Sequence, residues 1–170
     1  MPRTLTAAAL AILTATALPA TAQSVIETDQ MVVYEGQWVQ TKLPELQGAL
    51  LFLTVPRGQK GEYFSVTCGA GGDRMVKLGF LSPLPGNTVD LTIDGTARTL
   101  PVVATGTTLD QTYTKSQIHR YEVAFPSPAD RQALFAAMRR GSSLQVQGQT
   151  IPVSLKGATA ALNGQSQYCS

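Results

Sequence analysis

A chain of 170 residues has room for one domain of ordinary size, or for one smaller domain behind a targeting segment, and not for two separately cored enzyme domains. Only 14% of its residues are Asp, Glu, Lys or Arg, against roughly 25% in an average soluble domain, and the formal net charge is +2, a balance that argues against a charge-driven nucleic-acid binder. A single histidine, His119, and two cysteines, Cys68 and Cys169, leave little material for a histidine metal site or a charge-relay network.

The N-terminus reads as an export signal. Arg3 supplies the positive region, Ala7 to Leu18 form an apolar run, and Pro19-Ala20-Thr21-Ala22 ends it with the small residues a signal peptidase reads, which places cleavage after Ala22. The run is well short of the ~20 apolar residues a bilayer requires, so residues 1–22 are expected to be a signal peptide and not an integral membrane span. No lipobox cysteine follows, and no lipid anchor is expected. Losing Arg3 takes 13 basic residues to 12 against 11 acidic ones, so neither nucleic acid nor an anionic lipid surface is an expected partner.

Residues 23–30 lack periodicity and read as a flexible leader, with a single domain over 31–170. Met31 to Gln40 opens it and carries the one tryptophan, Trp38. Ala49 to Val55 is an unbroken apolar run between Gly48 and Pro56, the pattern of a strand covered on both faces at the centre of the core. Tyr63 to Cys68 alternates, with Phe64, Val66 and Cys68 on the inward side, and Val76, Leu78 and Phe80 repeat the pattern after a Gly-rich turn. A two-residue turn at Asp94-Gly95 sets Val89 opposite Leu100, Asp90 opposite Thr99, and Leu91 opposite Arg98.

Thr105 to Gln117 is the longest connection without apolar periodicity. It reads as a contact loop, with Tyr113 and Lys115 as its candidate residues. Ile118 to Phe125 alternates again and puts His119, Tyr121, Val123 and Phe125 on one face. Pro128 to Arg140 is a helix: Ser127 caps it, Pro128 suits the first position, Asp130 stands where a capping box has Glu, and Gly141 offers a left-handed stop. Arg139 and Arg140 complement the negative end of its dipole, and in a second reading they form an anion or partner contact. A turn at Gly148-Gln149 would set Val146 opposite Ile151 and Leu144 opposite Val153, with Pro152 marking a sheet edge. A weaker helical turn runs from Gly157 to Leu162. These elements predict a mainly β fold, an antiparallel β-sandwich or small barrel of about eight strands with one α-helix near 128–140 and a short C-terminal helical turn.

In an exported protein an even pair of thiols is most simply a disulfide, and Cys68 to Cys169 would close a loop worth about 4 to 5 kcal/mol in the chain-entropy model. His119 stands on an apolar-facing side with no serine or cysteine motif beside it, and neither a G-x-S-x-G elbow nor an H-E-x-x-H motif occurs. Gly69-Ala70-Gly71-Gly72 precedes a strand pattern rather than a helix, so it reads as a turn and not a phosphate cradle. No catalytic residue, cofactor or metal is expected.

The C-terminal half combines Leu134-Phe135, Gly141 and Leu144 with Ser154-Leu155-Lys156-Gly157, Ala160-Ala161-Leu162 and a terminal Cys169, and carries Phe64-Ser65-Val66-Thr67-Cys68 upstream. In this order it resembles exported bacterial proteins of the invasion-associated locus B type, and also the VasI family of type VI secretion accessory proteins. The resemblance spans residues 62–169 loosely. It implies a periplasmic, non-enzymatic, disulfide-stabilised β-sandwich working through contacts with another envelope protein, and it carries over no active site. The rival expectation is a periplasmic inhibitor or small-ligand binder; an enzyme is the third.

Overall fold

A computed structural model describes residues 24–35, 37–43, 46, 48–52, 61–69, 71–109 and 115–169. The signal-peptide segment, the cleavage point after Ala22 and Tyr113 lie outside these residues. Eleven strands run in chain order as β1 (Val25–Glu27), β2 (Met31–Tyr34), β3 (Trp38–Thr41), β4 (Leu50–Phe52), β5 (Tyr63–Cys68), β6 (Arg74–Phe80), β7 (Thr88–Ile93), β8 (Thr96–Leu109), β9 (Gln117–Val123), β10 (Ser143–Val146) and β11 (Val153–Ser154). Helix α1 (Pro128–Arg140) lies between β9 and β10, and α2 (Ala158–Gln165) follows β11.

The strands form one open antiparallel sheet in the order β1-β2-β3-β4-β5-β6-β9-β8-β7-β10-β11, which corrects the expected eight-stranded sandwich or barrel. The correction turns on β8. Its first part, Thr96–Pro101, pairs with β7, and its second part, Val102–Leu109, pairs with β9, so one long strand joins what would otherwise be two sheets. A bulge between Ala104 and Gly106 interrupts the second pairing, and Gly106 takes a φ of 104°, which only glycine adopts readily. The expected contact loop is thereby shortened: Thr105–Leu109 belong to β8, and Gly106–Leu109 pair with Gln117–Arg120.

The sheet folds over so that its two arms enclose one core. Trp38 of β3 is fully buried, meets Phe52 and Phe64 edge-on with centroids 5.4 and 6.1 Å away, and donates its indole N–H to the Ser154 carbonyl of β11 at 3.1 Å. Gln149 donates to the Tyr63 and Gly79 carbonyls at 2.8 and 3.0 Å, tying the turn after β10 to β5 and β6. The inner face joins Val32, Leu50, Val66, Val76, Leu91, Val123, Leu144 and Val153 in a single cluster closed by Leu134, Phe135 and Met138 of α1 and by Ala158, Ala161 and Leu162 of α2. No helix among the described residues is long and apolar enough to cross a membrane.

Local chemistry sets the element ends. The Asp94-Gly95 turn takes left-handed φ values of 45° and 85°, the two-residue hairpin geometry, and delivers the expected register from Val89–Leu100 to Leu91–Arg98. Ser127 accepts from the Asp130 amide at 3.1 Å and donates its hydroxyl to the Asp130 carboxylate at 2.6 Å, so the aspartate reinforces the cap by accepting from the serine. Gly141 is not left-handed as expected: its φ and ψ are −80° and 168°. A side chain there would press on Ile93 Cγ2 at 2.6 Å and Leu155 Cδ1 at 2.9 Å, so the glycine answers to close packing rather than to backbone conformation. At the second ribbon Leu144 faces Val153 as expected and β11 is the sheet edge, but pairing does not extend to Ile151. The weak helical turn after Gly157 is a helix of eight residues.

Two further readings change. Val25–Glu27, expected within the leader, pair with Val32–Tyr34 as the opposite edge strand. β4 lies within the sheet but is not covered on both faces, because Leu51 is 39% exposed; residues 53–55 of that apolar run lie outside the described residues.

Asp94 supplies a pH test of the fold. Its carboxylate accepts from the Ser142 hydroxyl at 2.7 Å, the Ser142 amide at 2.9 Å and the Ser143 amide at 3.0 Å, and these bonds hold its pKa below the ordinary aspartate value. A depressed folded pKa contributes stability that is present above the unfolded value of about 3.9 and is lost as pH falls through the lower folded value. Thermal unfolding scans from neutral to strongly acidic pH should therefore find Asp94→Asn less stable than the parent at pH 7, with the two curves converging below the folded pKa. A constant gap across that range would remove the carboxylate from the account.

Candidate functional site

Three surface features can do chemistry or binding. The first is an arginine-lined hollow of about 210 Å³ between α1 and the turn entering β6, bordered by Asp73, Arg74, Arg131, Gln132, Phe135 and Arg139. Arg131 and Arg139 stand eight residues apart, close to two helical turns, so both project toward β6 from one side of α1. Arg131 pairs with Asp73 and lies 5.5 Å over the Phe125 ring. Arg74 lies 5.8 Å over Phe135 and donates to Gln165 Oε1 at 3.0 Å, the Leu162 carbonyl at 2.8 Å and Ser166 Oγ at 2.7 Å. Burial, and secondarily the positive charge of Arg139, push the Arg74 pKa down.

The second feature is a hollow of about 270 Å³ lined by Ile93, Asp94, Thr96, Arg98, Ala137, Arg140 and Gly141. The paired arginines of the sequence reading are thus separated: Arg139 joins Arg74 and Arg131, while Arg140 joins Arg98 and Asp94 on the other side of the helix. The sequence alone does not single out Arg74, Arg131 or Asp73. The available signal was the spacing of Arg131 and Arg139 on one helix face.

The third feature is the outer face of the sheet. Strand register places Ile26, Val33, Val39 and Leu51 in one row across β1 to β4, on the face opposite the core row Val32, Gln40, Leu50 and Val66. Ile26 is 61% and Leu51 39% exposed, while Val33 is half-buried and Val39 is buried. The same row continues through Ser65, Lys77 and Glu122 on β5, β6 and β9, where it becomes polar.

The remaining sequence candidates lie apart from these features. Lys115 is exposed just before β9, with a left-handed φ of 52°. His119 is half-buried in β9 between Phe80 and Thr107, and it lines neither hollow. Cys68 and Cys169 come together with disulfide geometry, their Cα atoms 5.1 Å apart. Among the described residues, no three His, Cys, Asp or Glu side chains converge as metal ligands.

No family description, curated protein or solved structure matches this chain.

Proposed function

We propose that this chain is an exported, non-enzymatic envelope protein that works by contact with another envelope protein, using the outer face of β1 to β4. The observation that carries the reading is the pair of exposed apolar side chains Ile26 and Leu51, at the two ends of a row that runs through half-buried Val33 and buried Val39. A one-sided sheet alternates apolar-in and polar-out, and this sheet does so at the half-buried Lys77 and Glu122 of the same row. At β1 to β4 the outer positions are apolar as well, as though a second layer were to cover them. The short strand β1 extends this surface and is an edge among the described strands, a position that offers backbone groups for pairing. The Cys68–Cys169 bridge and the signal-like N-terminus support export to an oxidising compartment.

The test is affinity capture from periplasmic extract with the parent and with an Ile26→Lys, Leu51→Lys double variant. Both side chains are exposed, so the variant should keep its stability to within about 1 kcal/mol. One defined protein should be retained by the parent and lost from the variant. Identical capture by both proteins, or a copurified small molecule with no protein partner, would overturn the reading.

A further inference from the structure

Arginine side chains that meet one another usually have an acid between them. In the hollow beside α1, one acid serves three arginines: Asp73 pairs with Arg131. Among the described residues Arg74 and Arg139 have no carboxylate partner. Arg74 directs Nε and Nη2 toward the last turn of α2, bonds that fix its guanidinium in place and leave Nη1 outside that set. Its plane rests near Phe135, an apolar support beneath a cation. The hollow therefore presents a held guanidinium, a second cation from the last turn of α1, and the Gln132 amide as a neutral donor.

We propose that this hollow is a binding site for a phosphate-type oxyanion, with Arg74 as its fixed donor and Arg139 as its closing one. Guanidinium forks match tetrahedral oxyanions through paired, charge-assisted hydrogen bonds, and the surrounding burial strengthens them. Burial lowers the Arg74 pKa most and the positive charge of Arg139 lowers it further, and an anion placed between the two guanidiniums would offset that second contribution. The site shares no residue with the apolar row of β1 to β4, so either can fail without the other.

The experiment is an amide and arginine Nε NMR titration of the purified protein with inorganic phosphate and, separately, with a soluble glycerol phosphodiester. Saturable shifts are expected at Asp73, Arg74, Gln132 and Arg139. Arg139→Gln touches none of the bonds that hold Arg74 and should weaken binding about tenfold, the loss of one charge-assisted contact. Arg140→Gln, which lies on the other hollow, should leave binding unchanged. Tighter binding of inorganic phosphate would identify a free anion as the source, and tighter binding of the diester a lipid headgroup; both support the site. Absent shifts, or equal shifts in Arg139→Gln, would overturn it.

Discussion

Replacing both Cys68 and Cys169 by alanine is expected to lower the stability of the folded domain by about 4 kcal/mol, the largest effect of any change considered. The two residues are 101 positions apart, so the bridge closes a loop that includes most of the sheet and both helices. In the chain-entropy model a loop of that size is worth about 4 to 5 kcal/mol, and the contribution lies in the unfolded chain, which loses conformations when its ends are tied. The native placement should survive, because the segment before Cys169 has its own anchors: Gln165 and Ser166 both bond to Arg74. Urea unfolding should therefore show a lower midpoint together with a steeper slope, since an untied chain exposes more surface when it opens. Coincident curves for the parent and the double variant would refute a stabilising bridge.

What could be read in the chain follows from how local each signal is. Helix α1 is legible to the residue because Ser127, Pro128 and Asp130 encode its start and Arg139-Arg140 its last turn, although Gly141 ends it through close packing on Ile93 and Leu155 and not through a left-handed φ. The β7–β8 register was legible because Asp94-Gly95 dictates a two-residue turn. The single open sheet was not, because its order depends on long-range pairings: β6 takes β9 as its neighbour, and β8 divides its length between β7 and β9. An alternating pattern fixes which face a strand buries and says nothing about its neighbour. β1 escaped because three residues are too few to show a period. The apolar run at β4 misled for a more useful reason. The run Ala49 to Val55 has the pattern of a strand covered on both faces, whereas Leu51 stands exposed, and that disagreement between sequence and fold is what draws attention to the outer face. The arginine hollow was half legible, since Arg139 was singled out but Arg74 reaches it from a distant strand.

Gln165→Leu is expected to destabilise the domain by about 3 kcal/mol, although leucine suits a buried site in shape. Gln165 is fully buried at the end of α2, and its carboxamide is used at both ends: Oε1 accepts from Arg74 Nε, and Nε2 donates to the Gly48 and Val66 carbonyls. One side chain therefore joins α2 to β6, to β5 and to the turn before β4. Leucine would recover apolar burial but would leave two carbonyls and a guanidinium N–H without that partner, at roughly 1 to 3 kcal/mol for each buried group left unsatisfied. The mechanism has a signature beyond the size of the loss. Arg74→Met removes the donor to Oε1, so its effect should overlap with that of Gln165→Leu, and the double variant should be less destabilised than the two single changes added together. A coupling of about 1 kcal/mol in a chemical-denaturation cycle would place the stability in the shared network. Strict additivity would remove the Arg74–Gln165 bond from the account and assign the loss to the Nε2 bonds with the Gly48 and Val66 carbonyls and to the packing of α2.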